Sequence, residues 1–200
     1  IKNAEALEQM QKVNILITDK TGTLTEGKPS LDSISAAANG DKTQILKLAA
    51  ALNQNSEHPL SGAVLQAFKK ENTVFEKVEN FENISGKGIK GTIKGESVLL
   101  GNEALLNHFN ISIPQELKNE VIRKQDEAKT VSYLASGDYV LGFLSFSDKI
   151  KETSRQAIDY LKKNKIEVIM MTGDNEHTAK AVAESVGIQK YFAGQLPQDK

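Results

Sequence analysis

The sequence predicts an α/β fold in two units, a parallel-sheet unit split by an inserted α+β unit with an antiparallel sheet. Two short apolar runs, residues 13–17 and 166–171, predict the first unit, because each is followed at once by an acidic turn: Asp19 after the first, Thr172-Gly173-Asp174 after the second. Runs of this length bounded by turn residues read as buried strands, and open α/β sheets bind ligands at the carboxyl ends of such strands. The insertion is predicted by two β-rich runs, 130–135 and 139–146, around Ser136-Gly137-Asp138. That tripeptide is a hairpin signal, and hairpins build antiparallel sheets.

Composition narrows the function classes. A chain of 200 residues has room for one domain or two. Net charge is -1, from 25 basic and 26 acidic residues, so no global field draws nucleic acid or an anionic membrane. Cysteine is absent, which excludes a disulfide framework, Cys-based zinc binding and thiol catalysis. No apolar run approaches the ~18 to 20 residues that span a bilayer, and the first residues lack a signal-peptide pattern. The expectation is a soluble, monomeric chain of cytosolic type. The Asn-Ile-Ser sequons at Asn83 and Asn110 read as chance matches.

Along the chain, Ala4, Leu7 and Met10 fall at helical spacing before the first strand. Gly27 and Pro29 break the pattern and mark the entry to the insertion, whose first strand is the alternating run 31–36. Asp41 and Gln44 form a capping box ahead of Ile45, Leu48, Ala49 and Leu52. Pro59 suits the first position of a helix carrying Leu60, Ala63, Val64, Ala67 and Phe68. The stretch 74–81 has β composition, and Gly86-Lys87-Gly88-Ile89-Lys90-Gly91 has the spacing of a dinucleotide fingerprint. No helix begins there, however. Ile89, Ile93, Val98 and Leu100 continue as strands around Lys94-Gly95, so a Rossmann site is rejected. A short helix with Leu105 and Leu106 follows, then one with Leu117, Val121 and Ala128. The insertion counts about six strands and three or four helices, with the helices on one side of the sheet. After it, Ile150, Ser154, Ala157, Ile158 and Leu161 share a helical stripe, and Ala179, Val182, Ala183 and Val186 form another that Gly187 stops. His108 and His177 lie on helical stretches without partners at ligand spacing and read as surface residues.

Chemistry concentrates in a few motifs. Residues 19–25 read DKTGTLT, which word for word resembles the phosphorylation motif of P-type ATPases, cation pumps that phosphorylate an aspartate from ATP. Residues 56–60, SEHPL, resemble the nucleotide-domain signature of the heavy-metal branch of that family, and Gly86-Lys87-Gly88 and Gly101-Asn102 resemble its GxG and GN steps. SDKIKETS, at 147–154, resembles its SDPIK-type return segment with Lys149 in place of proline. TGDN, at 172–175, resembles the second phosphate-site motif of the haloacid dehalogenase-like superfamily, and LPQDK, at 196–200, resembles LPEDK. IKNAEALE, at 1–8, resembles the lead-in found in copper and silver pumps.

The resemblance implies a haloacid dehalogenase-like Rossmannoid phosphorylation domain, residues 1–29 with 147–200, and an inserted nucleotide-binding domain, 30–146. It implies that Asp19 accepts the γ-phosphoryl of ATP to form an aspartyl phosphate. Thr172, Gly173, Asp174 and Lys200 would serve the phosphoryl group, and Asp148 would orient that lysine or cap its own helix. His58 would pack against adenine with Glu57 at its edge, and Gly86, Gly88, Gly101 and Asn102 would complete the nucleotide pocket. Delivery of the phosphoryl then requires the insertion to close on Asp19 about residues 27–29 and 146–148. Mg2+ would be held by the Asp19 carboxylate and the Thr21 carbonyl.

In the family a GDGxNDxP motif supplies further metal ligands, and no such motif occurs here, so ATP binding with weak self-phosphorylation is expected. The parent protein would add an actuator domain and membrane helices and work at the cytosolic face of a membrane, exporting copper or silver. Two rivals stand beside the pump. A soluble phosphatase of the superfamily places a second Asp two residues after the nucleophile, where this chain has Thr21, leaving hydrolysis without its base. A nucleotide-binding module without catalysis is favoured by the missing magnesium motif and opposed by the intact Asp19.

Overall fold

The computed structural model describes residues 12–38, 40–71, 73–195 and 199. The amphipathic stretch 1–11 and Lys200 lie outside them. In chain order come β1 (Ile15–Asp19), a tight turn of π-helical pattern (Lys20–Leu24), β2 (Ser30–Ala36), α1 (Lys42–Asn53), α2 (Pro59–Lys69), β3 (Glu79–Ile84), β4 (Gly88–Ile93) and β5 (Glu96–Gly101). Then follow α3 (Glu103–His108), α4 (Gln115–Asp126), β6 (Thr130–Ser136), β7 (Tyr139–Ser147), α5 (Glu152–Lys163), β8 (Glu167–Met171), α6 (Glu176–Val186) and β9 (Lys190–Phe192). The chain divides into two compact units, Ile1–Gly27 with Lys149–Lys200, and Lys28–Asp148.

Among the described residues, the first unit holds a three-stranded parallel sheet in the order β1-β8-β9. Helix α5 packs on β8 and α6 on β9. The apolar stripe predicted for α6 is buried, Ala179, Val182, Ala183 and Val186 alike, and Gly187 ends the helix at φ +82°. A left-handed residue at that position suits glycine because it carries no Cβ. Helix α5 closes the end of α6 from the side: Arg155 donates to the Ser185 carbonyl and Lys162 to that of Gly187.

The first strand departs from expectation. It begins at Ile15 rather than at residue 13, and it is not buried: Ile15, Leu16 and Ile17 are 48%, 38% and 59% exposed, against 8% for Thr18. The reason is position. Among the described residues β1 is an edge strand, and the two helices of the unit lie over its neighbours.

The second unit holds a six-stranded antiparallel sheet, β2-β7-β6-β5-β4-β3. Its helices do not lie on one side. Val98 and Leu100 of β5 enter one core with Ile45 and Leu52 of α1 and Val64 and Phe68 of α2. Leu99, pointing the other way, enters a second core with Leu105, Leu106, Leu117 and Val121 of α3 and α4. Successive residues of a strand face opposite sides, so an unbroken apolar triplet in a central strand demands cover on both. Strand β3 starts at Glu79 because the preceding residues never join the sheet: Val74 is 84% exposed, and the Phe75 ring packs 4.7 Å from that of Phe68. Helix α4 ends at Asp126, short of Ala128, whose φ is +61°. The Gly88 to Gly101 segment is an antiparallel hairpin, in agreement with the rejection of a Rossmann site.

Candidate functional site

Asp19 ends β1, exposed, and its Oδ1 accepts the N–H of Lys20 at 2.9 Å. The chain then reverses through Gly22, at φ +75°, where a side chain would be strained. Thr25, 1% exposed, closes the turn: its N–H donates to the Lys20 carbonyl at 3.1 Å, and its Oγ1 accepts from Gly22 N and donates to the same carbonyl. The loop therefore carries its own hydrogen-bond scaffold.

Lys20 folds back into the unit, 5% exposed, and its Nζ meets Asp174 Oδ2 at 2.5 Å. Thr172, 2% exposed, donates its hydroxyl to the same Asp174 oxygen at 3.1 Å and accepts the Asp174 N–H at 3.2 Å. The loop after β8 is tied down in turn by Thr172 N to Phe192 O, Gln195 N to Thr172 O and Gly194 N to Asp174 O. Four of the predicted residues thus lie at the carboxyl ends of the two paired parallel strands, Asp19 as the last residue of β1 and Thr172, Gly173 and Asp174 directly after β8. The salt bridge to Lys20, a residue the sequence reading left without a role, joins the two loops. Asp148 does not cap α5, whose N-cap is Lys151; it accepts the backbone N–H of Lys28, and the lysine it was expected to orient, Lys200, lies outside the described residues. Lys151 and Ser154, also missed, reach the loop after Asp19.

In the second unit, His58 is the N-cap of α2, and its Nδ1 accepts the N–H of Leu60 at 3.2 Å. A neutral ring that accepts at Nδ1 carries its proton on Nε2. Ser56 Oγ accepts the His58 N–H, Pro59 occupies the first helical position, and Glu57 is exposed beside them. The remaining predicted residues gather at the β4–β5 hairpin. Asn102 Nδ2 donates to Gly86 O at 2.8 Å, its N–H donates to Lys87 O, and its Oδ1 accepts from Leu105 N to cap α3. Gly88 pairs with Gly101. A Cβ on Gly88 would lie 2.3 Å from the Leu100 carbonyl oxygen, and one on Gly101 would lie 2.3 Å from that of Lys87. The strands themselves demand these glycines.

Residues 13–199 match the haloacid dehalogenase-like hydrolase family. The chain belongs to that family. Over 100% of its length it is 40% identical to the silver exporting P-type ATPase of Salmonella typhimurium and covers 24% of that protein. It is 42% identical to the copper-transporting P-type ATPase of Rhizobium leguminosarum bv. viciae, again over 100% of this chain and 24% of the relative. The chain thus spans about a quarter of the length of the curated relatives it matches. Among solved structures, a catalytic domain of the CPx-ATPase CopB-B superposes with a TM-score of 0.75 at 23% identity, over 100% of this chain and 68% of that one. That likeness concerns the fold, and it agrees with the α/β unit and inserted antiparallel sheet read from the sequence.

Proposed function

We propose that this chain is the ATP-binding and phosphoryl-accepting region of a heavy-metal cation pump that exports copper or silver. The observation that carries the reading is an exposed carboxylate, Asp19, at the carboxyl end of a parallel strand whose neighbour runs at once into Thr172, Gly173 and Asp174. Similarity to silver and copper P-type ATPases over the whole of this chain, about a quarter of their length, supports the choice of pump and metal.

Asp19 attacks the γ-phosphoryl of ATP, a bond forms from its carboxylate oxygen to phosphorus, and ADP leaves with the electrons of the broken P–O bond. ADP needs little protonation, so no acid is required two residues on, where Thr21 stands. The Lys20 N–H on Oδ1 orients the carboxylate, and Thr172 and Gly173 edge the phosphoryl position; Lys200 is proposed to add its charge there. In the second unit, His58 offers its ring face to adenine and Glu57 its carboxylate to the base edge. Gly86, Gly88, Gly101 and Asn102 bring backbone close to the ribose and phosphates.

An exposed carboxylate with a backbone carbonyl two residues further along the same loop suits a hard, oxygen-seeking cation such as Mg2+, which usually keeps waters and takes phosphate oxygens as well. Asp19 and the Thr21 carbonyl would hold it, and when bound it neutralises charge on the transferred group. Because residues 1–200 contain no GDGxNDxP motif to add a second source of carboxylates, self-phosphorylation by this chain is expected to be slow. No described helix is long and apolar enough to cross a membrane. The membrane helices and actuator domain of the whole pump are its proposed partners, at the cytosolic face.

The test is incubation with γ-labelled ATP and Mg2+. Acid-stable, hydroxylamine-labile label that disappears in Asp19→Asn is the expected result. Rapid hydrolysis of small phosphate esters would replace the pump with a phosphatase, and tight ATP binding that never yields label would leave a binding module.

A further inference from the structure

The chain segment that returns to the first unit after residue 148 runs antiparallel to the end of the Asp19 loop. Glu26 N donates to Lys149 O at 2.8 Å, Lys151 N donates to Leu24 O at 3.0 Å, and Thr25 bridges Ile150. Two side chains add to this backbone pairing. Ser154, 6% exposed, donates its Oγ to the Leu24 carbonyl at 2.8 Å, and Lys151 donates its Nζ to the Gly22 carbonyl at 2.8 Å.

We propose that Lys151 and Ser154 are positioning residues for phosphoryl transfer, which set the peptide planes of the loop on which the Asp19 carboxylate rests. This role rests on the reading of Asp19 as phosphoryl acceptor. In a trans peptide the C=O and the N–H that share a plane point opposite ways. Lys151 N and Ser154 Oγ together occupy both lone pairs of the Leu24 carbonyl, so the Thr25 N–H of the same plane is turned away from α5. It meets the Lys20 carbonyl, where Thr25 Oγ1 also donates. The Lys20 N–H in turn holds Asp19 Oδ1. A hydrogen-bonded path therefore runs from Ser154 through Leu24, Thr25 and Lys20 to the nucleophile. Lys151 fixes the Gly22–Thr23 plane separately, at the residue whose φ of +75° makes it the most permissive point of the loop.

Helix α5 bears a local cost for this arrangement. Lys151 is its N-cap and makes no side-chain cap bond. Ser, Thr, Asp and Asn are the favoured residues there, and a cation faces the positive end of the helix macrodipole. Ser154 N donates to Lys151 O, so both side chains project from one helical turn. A residue that opposes its own helix while bonding a catalytic loop is the pattern expected where function overrides local preference.

Misplacement of reacting atoms by about 1 Å can cost 10²-fold in rate, and a relaxed loop displaces Asp19 by less. Ser154→Ala and Lys151→Met should therefore slow label formation on Asp19 about tenfold with ATP affinity unchanged, and Ser154→Thr or Lys151→Arg should restore most of the rate. Backbone amide exchange at residues 22–25 should quicken in the first two variants and stay slow in the second two. Because Lys151 is only partly buried, its variant folds whether or not the buried serine tolerates change. Unaltered label formation and unaltered exchange in both Ser154→Ala and Lys151→Met would overturn the assignment. So would an equal loss of ATP affinity, which a general loosening of the protein would produce. Exchange that responds in a wild type that never takes label would support the hold on the loop and overturn the reading of Asp19.

Discussion

Lys20 Nζ lies 2.5 Å from Asp174 Oδ2 with the two side chains 6% and 10% exposed, so the loops after β1 and β8 are joined by a desolvated ion pair. Removing one partner strands the other charge away from water, which costs about 3–5 kcal/mol. Lys20→Met should lower the urea midpoint by that equivalent. Replacing both, as Lys20→Met with Asp174→Leu, should recover most of the loss, because two buried charges are then exchanged for apolar packing. A double variant as unstable as the single one would show that the junction is carried by other bonds of Asp174, that from Thr172 among them.

His58 has two duties in α2, a cap by Nδ1 and an exposed ring, and they are separable. His58→Asn keeps a favoured N-cap and should unfold within about 0.5 kcal/mol of wild type, whereas His58→Ala should lose about 1 kcal/mol. Both lack the imidazole, so ATP affinity measured by calorimetry should fall in both by a similar factor. An Asn variant that binds ATP normally would remove the ring from the nucleotide site.

Glycines divide by what surrounds them. Nothing lies within 4 Å of a Cβ built on Gly62, inside α2, so Gly62→Ala should raise stability by about 0.5–1 kcal/mol. Gly88→Ala places its methyl against the Leu100 carbonyl and should cost at least about 2 kcal/mol, as overpacking of a rigid strand pair does. Thermal unfolding of the two variants beside wild type reads both signs in one experiment.

Asp32, at the irregularity of β2 between Leu31 and Ser33, accepts from Lys129 at 2.8 Å, Lys124 at 3.3 Å and Ser145 Oγ at 3.2 Å. The Lys129 bond first of all holds its carboxyl down at about 2, against an ordinary value of 3.8. A lowered folded-state value stabilises above the unfolded-state one and ceases to do so as pH falls through the folded one. Wild type should thus lose stability between about pH 4 and pH 2, and Asp32→Asn should show a flatter dependence across that interval. Urea midpoints measured over the range check the difference in slope.

Much of the fold could be read locally. Pro59 begins α2, Gly187 ends α6, and Ser136-Gly137-Asp138 turns β6 into β7, because each depends on the sterics of a few neighbouring residues. The Val98-Leu99-Leu100 triplet carried a signal that was underread: unbroken apolarity in a central strand already implies helices on both faces. For β1 the local signal misled, since an apolar run does not say whether its strand is central or at an edge.

The candidate site divides in the same way. The residues proposed to carry chemistry, Asp19, His58 and Thr172 among them, stand in contiguous motifs that the sequence alone makes legible, as it does the strand-turn order that puts Asp19 and Thr172 at neighbouring strand ends. What Lys20, Lys151 and Ser154 do was decided only by tertiary structure. A lysine or a serine has no periodicity that announces its partner, and Asp174, Gly22 and Leu24 become those partners only when parallel pairing and the return of the chain bring distant stretches to hydrogen-bond distance.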